Sequence, residues 1–134
     1  MRPIGVFAFV AIALASQAVE ACSCAWHGSP CRAFDETAAV FIGRALEINP
    51  VMDEGYEQRL VRLEILQALK GVSGNRIEVV TGRGGGDCGY TFRRGDTYLV
   101  YAHRRDGAKR LYTGICSRTQ ALSDATEDLE YFKA

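Results

Sequence analysis

The chain of 134 residues is poor in proline, with three in all, and holds one Trp, two His and two Met. It also lacks any excess of one charge, since 16 Lys+Arg meet 16 Asp+Glu. A neutral balance gives no electrostatic footprint for nucleic acid or for an anionic membrane surface. Internal repeats, linkers, a collagen period and coiled-coil heptads are all missing, and nothing resembles a multi-span membrane protein. What is present is ordinary for one globular domain: 48% hydrophobic and 24% charged residues argue against disorder. The unusual feature is five cysteines.

The first segment reads as an address. Arg2 precedes an apolar run from Ile4 to Ala15, and Ser16-Gln17-Ala18-Val19-Glu20-Ala21 then turns polar and small. A charged start, a short apolar core and small residues at Val19 and Ala21 predict a secretory signal peptide over 1–21. The run is well short of the ~20 residues that span a bilayer. The domain is then 22–134, secreted or extracytoplasmic, with Cys22 leading it in an oxidising compartment. A competing route is lipidation: Val19-Glu20-Ala21-Cys22 partly resembles a bacterial lipobox, although Glu20 fits that motif poorly. Only lipid on Cys22 gives the chain a membrane partner.

Three cysteines, Cys22, Cys24 and Cys31, crowd the expected start, and Cys88 and Cys116 lie far downstream. In an exported domain this reads as two long-range disulfides with one cysteine left over, the pairing undetermined by spacing. Each such bond is worth about 4 kcal/mol by loop-closure entropy. A metal reading of Cys22-x-Cys24-x2-His27-x3-Cys31 exists, but Cys-x-Cys is tighter than structural zinc spacing and export favours oxidised sulfur.

Along the chain, residues 22–33 hold turn formers among cysteines and predict an extended, crosslinked arm. Phe34 to Ala38 suggests one helical turn. A first strand covers Ala39–Ile48 and is expected to end at Asn49-Pro50, with Asp53-Glu54-Gly55 a polar loop tip. Val61, Leu63 and Ile65 alternate with Arg62 and Glu64 as a half-buried second strand. Ile77–Thr81, Thr97–His103 and Leu111–Thr113 complete five strands, with Arg104-Arg105-Asp106-Gly107 a solvated hairpin turn. A terminal helix capped by Ser117 or Ser123 carries Leu122, Ala125, Leu129 and Phe132 at helical spacing, leaving Glu127, Asp128 and Glu130 to water. The expected fold is mainly β: a small closed five-stranded barrel of the OB type with a C-terminal helix.

Catalytic signatures are scarce. The glycine run 82–89 lacks the Lys-Ser/Thr ending of a phosphate loop, and no His-Glu-x-x-His motif occurs. Neither His27 nor His103 is spaced for a dyad with cysteine, and Asp35-Glu36 and Asp53-Glu54 read as surface. The chain is not expected to be an enzyme or to need a cofactor. The leading residue is more informative. An α-amine has an ordinary pKa of about 7.7–8.0, so part of it is neutral near physiological pH. With the Cys22 carbonyl oxygen it can form a five-membered chelate at the open position of a catalytic zinc.

The residues also resemble a family. Cys22-Ser23-Cys24-Ala25, with His27 and Pro30 behind, is similar to the start of the tissue inhibitors of metalloproteinases. Phe34–Ala45 resembles that family's lead into its first strand, Leu69-Lys70-Gly71 a strand end, and Cys88-Gly89 a connector. Gly95-Asp96-Thr97-Tyr98-Leu99-Val100-Tyr101 and Cys116-Ser117-Arg118-Thr119 resemble its later strand and the start of its final helix.

The resemblance implies a netrin-like OB barrel with Cys22–Cys88 and Cys24–Cys116 bonded. It implies a partner, a zinc metalloproteinase, whose zinc is ligated in trans by the amine and carbonyl of Cys22. Ser23 then points toward the primary specificity pocket, Cys24 and Ala25 continue along the cleft, and Asp87-Cys88-Gly89 forms a second contact. The inhibitor is expected to act as a monomer. Unlike the animal members, the sequence offers Cys31 no partner and carries no second cysteine-rich subdomain up to Ala134.

Overall fold

The computed structural model describes residues 22–25 and 28–133. The expected signal peptide, 1–21, and His27 of the metal reading lie outside the described residues. The element order is α1 (Pro30–Glu36), β1 (Ala39–Asp53), β2 (Tyr56–Lys70), β3 (Arg76–Thr81), β4 (Thr97–Arg104), β5 (Leu111–Tyr112), β6 (Gln120–Ala121) and α2 (Thr126–Lys133). A single helical turn of 3-10 type, Leu122–Asp124, leads into α2.

The fold is mainly β. Five strands follow one another as β1-β2-β3-β5-β4, and β4 pairs back onto β1, so the sheet closes into a ring. Pairings are antiparallel except β3 with β5, which run parallel. The sixth, two-residue strand adds to β4 opposite Tyr98 and Leu99 and was not expected from the sequence.

Period-2 alternation sorts the side chains. Phe41 and Ala45 from β1, Val61 and Leu63 from β2, Val79 from β3 and Val100 and Ala102 from β4 form one buried cluster. The alternate positions Val40, Ile42, Leu99 and Tyr101 face the other way, onto Ala125, Phe34, Leu69, Leu122, Leu129 and Phe132. Strand residues therefore have two apolar faces where the helices cover the ring, and one where they do not. The Phe34 and Phe132 rings, 5.5 Å apart, join α1 to α2.

Several expectations are corrected. The arm is not extended to residue 33. Ser29 caps α1 through its hydroxyl and Pro30 occupies the first helical turn, a position where proline's missing N–H costs nothing. The helix stops at Glu36, and Lys70 Nζ donates to the Phe34 and Asp35 carbonyls at 2.6 and 3.1 Å, putting a cation at its C-terminal end.

The first strand does not end at Asn49-Pro50 but runs to Asp53, with Pro50 opposite Arg59. Only Ala39–Arg44 pair with β4, so beyond them β1 has one edge without a strand partner among the described residues, and proline forfeits no second ladder there. The hairpin then turns on Glu54 and Gly55, both with positive φ (50° and 85°), as a two-residue primed turn requires.

Neither serine caps the terminal helix. Ser123 lies inside the preceding 3-10 turn, and α2 itself begins at Thr126. Asp128 does not face water: it is fully buried.

Candidate functional site

Two disulfides bring the sequence-predicted site together. Cys22 bonds Cys88 and Cys24 bonds Cys116, with Cα–Cα distances of 5.3 and 5.1 Å. The bonds lie against each other, since Cys22 Sγ is 4.0 Å from Cys116 Sγ. Residues 22–25 thus run beside 87–89 and 114–118, with Ser23, Cys24 and Ala25 exposed. Cys31 is not part of this cluster; it is unpaired and exposed on α1.

The Sγ atoms of Cys22, Cys88 and Cys116 lie within 4.8 Å of one another, yet all three are in disulfides and offer no thiolate to a metal. Persistent disulfides belong to an oxidising environment. No helix among the described residues is long and apolar enough to cross a membrane.

The segment receiving Cys22 is built from glycines and one carboxylate. Asp87 accepts from the backbone N–H groups of Arg83, Gly84 and Gly89 at 2.6, 3.0 and 3.0 Å. Desolvation pushes its carboxyl up, but these three donors outweigh that and hold it below the usual carboxylate range. Asp87, a contact residue only by the family resemblance, clasps its own loop. Cys88 follows with φ 61°, a left-handed conformation seldom adopted by a side-chain-bearing residue. Close approach explains the next glycines: a Cβ on Gly89 would collide with the Gly82 backbone, and one on Gly114 would sit 2.6 Å from the Cys88 carbonyl oxygen. That oxygen accepts from Ile115 N–H at 2.9 Å, joining the two cysteine-bearing segments.

Threonines fix these segments to the ring where strand pairing stops. Thr81 Oγ1 accepts from Tyr90 N–H at 2.8 Å. Thr119 Oγ1 accepts from Tyr101 N–H at 2.9 Å, and Thr113 Oγ1 donates to the Tyr101 carbonyl at 2.9 Å. All three threonines are buried, and no buried side-chain polar atom among the described residues lacks a partner.

Beside the disulfides opens a cleft of about 240 Å³, lined by Cys88, Cys116, Asp87, His103, Arg105 and Tyr112 among others. It extends the site toward the β4–β5 turn. That turn is solvent-exposed, as its sequence suggests, and within it Arg105 lies 3.9 Å over the Tyr112 ring and pairs with Glu54 at 3.2 Å. Tyr112 in turn donates to Asp53 Oδ1 at 3.2 Å, so Asp53 is not a plain surface acid. Burial, then the Arg105 charge, push His103 below its ordinary value.

The group that sequence reasoning missed sits behind the arm. Asp128 accepts from Tyr101 Oη at 2.5 Å, Arg118 Nε at 2.9 Å, Arg118 Nη2 at 2.5 Å and Gln120 Nε2 at 3.2 Å. Burial alone would raise its carboxyl; the Arg118 guanidinium, with Tyr101 and Gln120, more than reverses this and lowers it. The signal was available: Asp128 lies three residues after Ala125 and four before Phe132, on the stripe that faces the core.

The chain matches no protein-family model and no curated protein sequence.

Proposed function

We propose that the chain is an exported inhibitor of zinc metalloendopeptidases, built on a netrin-like OB barrel, whose leading residue after cleavage is Cys22. The α-amine and carbonyl oxygen of Cys22 chelate the protease zinc in place of its water. Ser23 occupies the primary specificity pocket, Cys24 and Ala25 follow along the cleft, and Asp87-Cys88-Gly89 makes the second contact.

The observation that carries this reading is the pair of adjoining disulfides, which hold a half-buried Cys22 and an exposed Ser23–Ala25 against 87–89. A segment already ordered in its bound form loses little freedom on binding, and so keeps more of its contact energy. The closed ring and terminal helix are compatible with the barrel that the family resemblance implies.

The test combines intact mass with inhibition. Exported protein should begin at Cys22, carry two disulfides and inhibit members of a zinc endopeptidase panel. Acetylating the amine, or leaving one extra residue ahead of it, should abolish inhibition. Unchanged inhibition after either treatment rejects the mechanism. The Ala21-Cys22 junction also favours a second reading, an envelope lipoprotein acting as an interaction module; a lipid adduct on Cys22 in the mass spectrum would establish it and exclude the chelate.

A further inference from the structure

The arm has a third anchor besides its two disulfides. Arg118 Nη1 donates to the Gly28 carbonyl oxygen at 2.9 Å, across 90 residues of sequence. Gly28 is buried, has φ +75°, and immediately precedes the Ser29 cap of α1. Cys116, which bonds Cys24, stands two residues before Arg118. The same short segment therefore holds the arm at Cys24 and again at Gly28.

The guanidinium divides its donors. Nε and Nη2 form a bidentate pair with Asp128, and Nη1 on the opposite side is left for Gly28. Asp128 is fully buried and also accepts from Tyr101 of β4 and Gln120 of β6. Its position on α2 is passed through the planar guanidinium to the arm. A lysine ammonium keeps the charge but has no such fork; it cannot satisfy both carboxylate oxygens and reach the Gly28 carbonyl.

We propose that Arg118, oriented by Asp128, is a positioning residue that fixes Gly28 at the base of the arm and so sets the direction in which Cys22–Ala25 are presented. The inhibitory consequence rests on the function proposed above. Arm rigidity itself does not.

The test compares Arg118→Lys with Tyr101→Phe. Both weaken the Asp128 cage, but only the first removes the contact with Gly28. Hydrogen exchange of the amides at 23–25 and the inhibition constant are measured in each, on the full exported chain with both disulfides intact. Arg118→Lys should speed exchange in the arm and weaken inhibition about tenfold, mainly through faster dissociation, while Tyr101→Phe leaves both within about twofold of wild type. Equal effects in the two variants, or an arm unaffected by Arg118→Lys, would overturn the proposal. If the wild-type protein inhibits no zinc protease, the functional reading falls, and the exchange comparison alone still decides whether Arg118 fixes the arm. A wild type that inhibits, with exchange accelerated in Arg118→Lys but inhibition unchanged, refutes the positioning role alone.

Discussion

Asp128→Asn changes one oxygen for an amide inside a cage that offers the carboxylate four hydrogen bonds. The Arg118 side chain, only 15% exposed, then loses its charge partner. Removing one member of a buried pair costs about 3–5 kcal/mol, because the other charge stays desolvated. Some relief comes from Glu127, 3.1 Å from Arg118 Nη2, but Glu127 is solvent-exposed and such pairs contribute little. The lower half of that range is therefore expected at neutral pH, read from urea unfolding. Acid should erase the difference. The folded Asp128 carboxyl lies below its ordinary value, so its stabilisation is complete above about pH 3.9 and disappears as pH falls through the lower folded value. The substituted amide has no proton to gain there, and the wild-type and Asp128→Asn curves must converge on acidification. A cost below about 1 kcal/mol, or a gap that stays constant into strong acid, would refute the account of the cage.

Two other perturbations test the construction of the site. Replacing Cys24 and Cys116 together by Ser should lower the unfolding free energy by about 4 kcal/mol in urea, somewhat less than its 92-residue separation alone implies, because Cys22–Cys88 already shortens the loop being closed. A loss under about 1 kcal/mol would mean that the arm contributes no constraint on the unfolded chain. Gly114→Ala places a methyl 2.6 Å from the Cys88 carbonyl oxygen; it should destabilise by about 1–3 kcal/mol and displace the 88–89 backbone amide resonances, and a neutral effect would contradict the close packing there.

Much of the ring was legible because its strands are buried on the terms sequence can express. Val61 and Leu63 alternate with charged neighbours, and Glu54-Gly55 marks a turn. Pro50 misled because its cost depends on whether a second strand pairs with that stretch of β1, a tertiary fact. The Ser29-Pro30 pair was a legible helix start, obscured by the cysteines and turn formers around it. Asp128 was missed for a different reason: a charged residue on an apolar stripe is read as a surface acid unless a partner is known. Its partner Arg118 is ten residues away, beyond any helical neighbour rule. The disulfide count followed from the odd number of cysteines, but spacing left the partners open.

The loops of the site call for a different kind of stabilisation from the strands, and the residues chosen answer to that. Segments 82–96 and 113–119 leave the ladder, where backbone groups would otherwise be satisfied by neighbouring strands. Asp87 replaces three of those missing acceptors, and Thr81, Thr113 and Thr119 supply side-chain partners to β4 and to the Cys88 segment. Gly89 and Gly114 then allow the two segments to approach without a side chain between them. With the loops fixed in this way, the disulfides join the arm to rigid partners rather than to mobile ones. A crosslink to a mobile loop would limit the arm's reach without setting its direction, and direction is what the proposed insertion of this segment into a protease cleft requires if it is to carry a low entropic cost.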